Sequence, residues 1–564
     1  MLAAVLGLVS CSDSFLDKDP DERVTLTDEE QITKFLVSGY SDANQAWICE
    51  LSSDNLVDNN CPHLPADFTA PQVYTHSNLA PSSRMDEELF RFEQVRSSTN
   101  SDSPSHVWQS HYNAIATANY ALENIEAIAA KTGMTPRLRA ARAEALLIRA
   151  YYHFQLVSVF SQIYKDEAQS KKDIGIPYIT KSGDKVSENY DRGNVYDVYQ
   201  NIEADLTEGL KDVVDTYYDK PKWHFNVNAA RAFAARFYLF KRDYDKVIEY
   251  ADMVLSKDSA TTANMLMDYS LFDGCTSSTD YANVWQNPAR NNNLMLVATN
   301  SVMWRYCIGQ RFSQTSMALR EILYHLGPNW RWYVIPTAYA SGMTFWDGNE
   351  DHGYCSSKIA ETFEYTDKVS GIGYPHIIRR EFTATELLLE RAEAKLLSKT
   401  HQDIDGAVRD LLTYDASRWT FSEDDRRTFF ADGALVYLTR EKLEEYYSNA
   451  SNYNCFDSWD FTQQLTSELE VPANIVPYMN CVNEFRRFEL NFEGMRFLDM
   501  KRWGMPIRHL YGPYMDVYEL GAQDPRRAVE IPLDAASAGL QSSRPQADAS
   551  GETYTVNNNR RVLK

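Results

Sequence analysis

No stretch of this 564-residue chain is basic enough to hold a phosphate backbone, and 56 lysines and arginines face 79 aspartates and glutamates for a net charge of −23. Such a surface repels nucleic acid. Cysteine is sparse and scattered. With Cys11 set aside, Cys49, Cys61, Cys275, Cys307, Cys355, Cys455 and Cys481 form no Cys-x-x-Cys pair, which argues against a disulfide framework and against a zinc site of the usual spacing. They read as mostly free or singly paired thiols, with a Cys49–Cys61 pairing left open. Beyond the N-terminus no run approaches the roughly eighteen uninterrupted apolar residues of a membrane-spanning helix. Enzyme signatures are missing too: there is no HExxH, no G-x-S-x-G, no Walker loop and no Rossmann glycine pattern. Ser182-Gly183-Asp184-Lys185 fits S-x-x-K but has no companion motif, and the eleven histidines form no ligand cluster. An abundance of carboxylates does not place two of them at the separation a glycosidase needs. No catalytic residue, metal ligand or cofactor is therefore assigned, and the chain is not expected to be an enzyme.

What is present begins with a hydrophobic content of 44%, enough for a substantial core, and with 35 Tyr, 25 Phe and 11 Trp. Leu2 to Val9 form a short apolar run ending in Leu8-Val9-Ser10-Cys11. Residues 1–10 read as the remnant of a secretory signal, and a cysteine after Leu-x-small resembles the bacterial lipobox. Acylation of Cys11 would contribute ~0.8 kcal/mol per buried CH₂, so several acyl chains hold a protein at a membrane without a spanning helix. Residues 11–30 make an acidic tether, in which Asp13, Asp17, Asp19, Asp21, Glu22, Asp28, Glu29 and Glu30 face only Lys18 and Arg23.

Residues 31–564 read as one folded unit. Ile115, Ala118, Leu122 and Ile125 recur at helical spacing, as do Ala143, Leu147, Ala150, Phe154 and Val157, and then Val198, Ile202, Leu206 and Leu210. Ala230, Phe233, Phe237 and Phe240 lead through Lys241-Arg242-Asp243 into Tyr244, Val247, Ile248, Ala251 and Leu255, a helix-turn-helix unit of tetratricopeptide character. Glu386–Leu397 followed by Asp405–Leu412 repeats that organisation. The hairpins thus occupy approximately 107–255 and 384–412.

Two stretches, approximately 47–105 and 256–373, lack sustained periodicity and are rich in Gly, Ser, Asn, Asp and aromatics. They are expected to fold back on the helices as one loop-rich ligand lobe. Flat rings suit the apolar faces of sugars, and Asn, Asp and Arg suit their hydroxyls. The binding candidates are Trp285, Asn287, Trp304, Arg305, Tyr306, Trp330, Arg331, Trp346 and Asp347, with core packing as the plainer reading of each ring. Two or three stacked rings, less association costs, give roughly millimolar to micromolar affinity. A loop calcium on Asp347, Glu350 and Asp351 stays open beside a merely solvated acidic loop.

Residues 484–504, from Glu484-Phe485-Arg486-Arg487-Phe488-Glu489-Leu490-Asn491-Phe492-Glu493-Gly494-Met495-Arg496 to Asp499-Met500-Lys501-Arg502-Trp503-Gly504, place Phe485, Phe488 and Phe492 on one helical stripe. Arg486, Glu489 and Glu493 are expected to pair at three- and four-residue spacing. Arg496, Asp499 and Arg502 are expected to form the charged face of a second helix. This stretch resembles the signature of SusD/RagB proteins. Glu144-Ala145-Leu146-Leu147-Ile148-Arg149-Ala150-Tyr151-Tyr152-His153-Phe154 and Gly175-Ile176-Pro177 are similar to further family segments, and Cys11-Ser-Asp-Ser-Phe-Leu-Asp to its mature start. The resemblance implies a mainly α fold, with tetratricopeptide-like helical hairpins and a large irregular ligand lobe in a single globule. It also implies a lipid-anchored protein on the outer-membrane surface of a Bacteroidetes-type cell, binding an oligosaccharide, polysaccharide or other nutrient beside a SusC-like TonB-dependent transporter. The competing readings are a surface glycoside hydrolase lipoprotein and a helical-repeat scaffold that binds only protein.

Overall fold

The computed structural model describes residues 26–61, 78–96, 100–183, 191–272, 274–307, 310–314, 322, 355–418, 438–449 and 469–544. Three short helices come first: α1 (Glu29–Leu36), α2 (Ala46–Leu51) and α3 (Arg84–Phe90). The long hairpin that follows is punctuated by its sequence. Ser103 caps α4 (Pro104–Thr132) by accepting from the His106 amide, Gly133 at φ 84 ends it, and Thr135 caps α5 (Pro136–Phe160). Both helices open with proline at the first turn, where the missing amide costs nothing. Asn194 and Asn226 cap α6 (Val195–Gly209) and α7 (Val227–Lys241). Arg242, at φ 63, makes the turn into α8 (Tyr244–Asp252), which Asp243 caps.

The stretch expected to be irregular holds short elements: α9 (Ser278–Trp285), β2 (Asn293–Thr299), α10 (Met303–Cys307) and β4 (Thr362–Asp367). Segments of five to eight residues complete barely two helical turns, so no periodicity survives in the sequence. The next strand, β5 (Ile372–Thr383), lies between β2 and β4 in an antiparallel sheet, with Leu296 opposite Arg380 and Glu364 opposite Tyr374. Two residues of the first loop-rich stretch, β1 (Val57–Asp58), pair with β3 (Phe312–Ser313) of the second.

The second hairpin, α11 (Ala384–Leu397) and α12 (Ile404–Ser417), is capped by Thr383 and Asp403. It packs on α8 and on a C-terminal group made of α13 (Arg440–Tyr447), α14 (Val476–Glu489) and α15 (Met495–Trp503). A two-stranded hairpin, β6 (Ile507–Tyr511) and β7 (Asp516–Leu520), follows. The architecture is mainly α, around one hydrophobic core that includes Trp108, Phe154, Phe237, Leu388, Phe485 and Trp503.

The expected charge pairing within 484–504 is corrected. Helix α14 stops at Glu489, and Phe492 sits at φ 63 beyond it, so the three phenylalanines do not share a helical stripe. Arg486 pairs with Asp499 at 2.8 Å, Glu489 with Arg418 at 2.5 Å, and Glu493 with Arg380. Arg496 reaches Asp54 at 2.7 Å, and Arg502 reaches Glu393 at 2.7 Å. Apart from the half-buried Asp54 and Glu493 these side chains are buried, so they bridge elements and do not decorate a helix surface. Gly494, at φ 76, is required on two counts: its backbone is left-handed, and a Cβ there would stand 2.6 Å from Ala46 Cα. Cys49 and Cys61 are not joined to each other by a disulfide, which closes that alternative.

Candidate functional site

Helix α10 carries three of the binding candidates in one turn. Its start is tied to the N-terminal elements, since the Val302 amide donates to Asp102 Oδ2 at 2.9 Å and the Asn300 amide donates to the Asp42 carbonyl at 2.7 Å. Asn100 Nδ2 donates to the Tyr306 hydroxyl at 2.6 Å, and the Tyr306 ring lies 6.0 Å from that of Trp47. Trp47 is itself buried, its indole donating to Asp86 at 2.9 Å. Burial pushes the Asp86 carboxyl up to about 6 and the Asp102 carboxyl up to about 7. Neither is open to a substrate, because both are buried: Asp102 anchors the start of α10, while Asp86 holds the Trp47 indole and completes the cap of α3.

Trp304 and Tyr306 are half-buried against the core, while Arg305 is exposed. The Arg305 guanidinium meets Glu361 in a two-point pair, Nε to Oε1 at 2.8 Å and Nη2 to Oε2 at 2.8 Å. Glu361 leads directly into β4, so this pair joins α10 to the β4–β5 hairpin. Phe363 and Tyr365 stand on one side of that hairpin, 49% and 52% exposed, with ring centroids 4.9 Å apart in an edge-to-face arrangement. Pro375 and Gly373 are their cross-strand partners, and the Phe363 ring overlies the space where a Gly373 side chain would be. The opposite side is polar: the Tyr374 hydroxyl donates to Glu364 at 3.2 Å, and Thr362 Oγ1 lies 3.1 Å from His376 Nε2. Val369 and Ile372 are exposed at the tip. Large rings left in water beside a charged pair and hydroxyl groups form a surface able to meet a ligand with alternating apolar and hydroxylated faces.

Other candidates are placed differently. Trp285 is 0% exposed; its indole donates to Ser357 at 3.2 Å, Phe272 lies 4.7 Å away, and the Arg380 guanidinium covers its ring at 4.7 Å. This corrects its assignment as a stacking platform, because both the ring and its polar edge are taken up by the core. Asn287 is half-buried in the loop after α9, with its Oδ1 accepting from the Ala289 amide at 2.8 Å, a turn-forming role. Trp330, Arg331, Trp346 and Asp347 lie outside the described residues, as do Cys11, Glu350 and Asp351. Phe363, Tyr365 and Tyr374 were not singled out from the sequence. The signal for them is the alternation in Thr362-Phe363-Glu364-Tyr365-Thr366-Asp367 before Gly371-Ile372-Gly373, a hairpin pattern with aromatics on one side.

A cavity of about 200 Å³ lies elsewhere, between the α5 C-terminus and the C-terminal segment. Its side chains are spent on one another. Gln162 Nε2 donates to the Asp524 and Pro525 carbonyls, Gln169 to Asp173, and Ser543 to the Phe160 carbonyl. It is a seam between elements, with little hydrogen-bonding capacity left for a ligand. Among the described residues no group of three or more His, Cys, Asp or Glu is placed to hold a metal, and no helix is long and apolar enough to cross a membrane.

Residues 14–239 match the SusD-like_3 family, described as "Starch-binding associating with outer membrane". The fold extends that likeness over the chain. A SusD superfamily protein of Bacteroides thetaiotaomicron VPI-5482 superposes with a TM-score of 0.55 at 17% identity, covering 93% of this chain and 100% of its own. One from Bacteroides vulgatus ATCC 8482 gives 0.54 at 18% identity, covering 92% and 98%. A laminarin-binding SusD-like protein gives 0.51 at 15% identity, covering 92% and 99%. No curated protein matches the chain.

Proposed function

We propose that this chain, which belongs to the SusD/RagB family, captures an oligosaccharide or polysaccharide at the cell surface and passes it to a SusC-like TonB-dependent transporter in the outer membrane. Cys11 is the residue that acyl chains would modify, with 11–30 as the tether. The observation that carries the reading is the aromatic surface formed by Trp304, Arg305 and Tyr306 on α10 with Phe363 and Tyr365 on the adjoining hairpin. Its rings supply stacking faces, and Arg305 and Glu361 supply partners for hydroxyl groups. The laminarin-binding protein of the same fold agrees with a glycan as ligand. Asp86 and Asp102, the carboxyl groups near α10 whose affinity for a proton is raised, are buried and so are not placed to attack a glycan.

Affinity electrophoresis of the soluble protein against plant, host and microbial glycans tests the proposal. One glycan class is expected to retard the wild type without releasing product. Trp304→Ala and the Phe363→Ala/Tyr365→Ala pair should each weaken retention by roughly ten-fold. Glycan turnover would establish the hydrolase reading instead. Retardation unchanged in both variants would move the site off this surface.

A further inference from the structure

Arg305 and Glu361 are the charged part of the aromatic surface, and their contact engages one edge of the guanidinium. Nε donates to both carboxylate oxygens, at 2.8 and 3.0 Å, and Nη2 donates to Oε2 at 2.8 Å. Nη1 is the nitrogen not committed to Glu361. The two partners sit at different depths: the Glu361 side chain is 14% exposed in the segment entering β4, and the Arg305 side chain is 55% exposed above it. Glu361 stands two and four residues before Phe363 and Tyr365, the spacing that sets side chains on one side of an extended chain. The carboxylate is thus on the ring-bearing side of the hairpin.

The neighbouring charges leave that balance in place. Lys368 is the second exposed cation on α10 and the β4–β5 hairpin, and it stands in the turn at the tip. Glu364 is on the polar side with Tyr374, and Asp367 accepts from the Val369 and Ser370 amides. Where α10 begins, the exposed Asp42 accepts from Asn300 Nδ2 at 2.6 Å. The cation beside the rings is therefore cancelled by Glu361, within a chain of net charge −23. A guanidinium that already holds a carboxylate can still donate to a hydroxyl group through Nη1. A second carboxylate, or a sulfate, must displace the first or meet its repulsion.

We propose that Glu361 determines the charge class of the ligand: by neutralising Arg305 it keeps the surface for uncharged sugars and turns away those that carry uronate carboxylates or sulfate esters. The inference rests on the glycan reading above and adds to it the residue that discriminates. Discrimination of this kind comes from a repulsive element as much as from an attractive one, and Glu361 is that element. With an amide in its place, the contact to Arg305 reduces to a hydrogen bond with a neutral oxygen. Arg305 then brings an unbalanced positive charge to the rings, where an acidic sugar can pair with it.

The test is binding of the full chain to immobilised glycans, with a neutral set (starch, a β-1,3-glucan and a xylan) beside polygalacturonate and dextran sulfate. Wild type is expected to bind a neutral glycan more tightly than either acidic one. Glu361→Gln should raise the ratio of acidic to neutral binding by about five-fold, what one exposed ion pair supplies. High salt should erase that gain. Adding Arg305→Ala to Glu361→Gln should abolish it as well, which separates a freed guanidinium from the mere loss of a negative charge. Should the amide variant fail to fold, Glu361→Ser removes the same charge with less bulk and reads the same way. Wild type that binds an acidic glycan as tightly as the neutral ones overturns the inference and leaves the glycan reading standing, as does an unchanged ratio in folded Glu361→Gln. Wild type that binds no glycan of either class overturns the glycan reading, and this inference falls with it.

Discussion

Asp102 shows how one side chain can be readable as a residue type and unreadable as a role. In sequence it is an aspartate within a Ser-Asp-Ser-Pro turn. In the fold it is fully buried under α10, where its Oδ2 accepts from the Val302 amide and burial holds its carboxyl at about 7. A folded-state value above the unfolded one, ~3.9, means that the folded protein binds the proton more tightly. The associated stability is fully present below about pH 4, falls as pH rises through about 7, and is absent above that. Asp102→Asn keeps the acceptor oxygen and removes the titration. Its Tm is therefore expected to match the wild type below about pH 4 and exceed it at pH 8, and identical pH profiles would show that folding leaves the affinity of Asp102 for its proton unchanged. Trp285 teaches the same lesson from the aromatic side. The composition of its neighbourhood suggests a ligand platform, but Phe272, Arg380 and Ser357 already occupy its surroundings.

At the scale of elements, the helical hairpins were legible because their apolar positions repeat over many turns and their caps are the residue types that satisfy free amides. Thr135, Asn194, Asn226, Asp243 and Thr383 each stand one residue before the helix they cap. The β4–β5 hairpin was not legible as the site. β4 is short, and the exposure of Phe363 and Tyr365 is set by what fails to pack over them. Gly373 is its most constrained position, since a Cβ there would stand 2.0 Å from the Glu364 carbonyl oxygen and 2.7 Å from the Phe363 ring. Gly373→Ala is expected to part the strands locally at a cost of roughly 1–3 kcal/mol. Amide hydrogen exchange should quicken across 362–374 while the α4–α5 hairpin keeps its protection. Unchanged exchange in the hairpin would mean that the strands accommodate the methyl group without moving.

Over the whole molecule, a buried network of charges joins the C-terminal helices to the second helical hairpin. Arg502 donates to both oxygens of Glu393 and to Asp499; Asp499 also accepts from Arg486, and the Trp503 indole donates to Glu393. All these groups are under 5% exposed. Removing one partner of such a cluster strands a charge out of reach of water, so Glu393→Ala is expected to cost about 3–5 kcal/mol. In a urea titration this appears as a lower midpoint with an unchanged slope. A loss under about 1 kcal/mol would show that water or a rearranged side chain replaces the carboxylate.

The sequence by itself determined the class of fold and the family likeness, because both rest on local regularities: helical periodicity, capping residues, and the ordered residue types of 484–504. It did not determine which of those residues pair, since Arg486, Glu489 and Glu493 find partners on other elements and not along their own helix. Nor did it determine which aromatics face water. Trp47, Trp285 and Tyr365 are equally plausible rings in a loop-rich stretch, and only the tertiary structure buries the first two and leaves the third exposed. Burial is a property of what the rest of the chain brings to a residue, and contacts between segments hundreds of residues apart leave no periodic trace in either one.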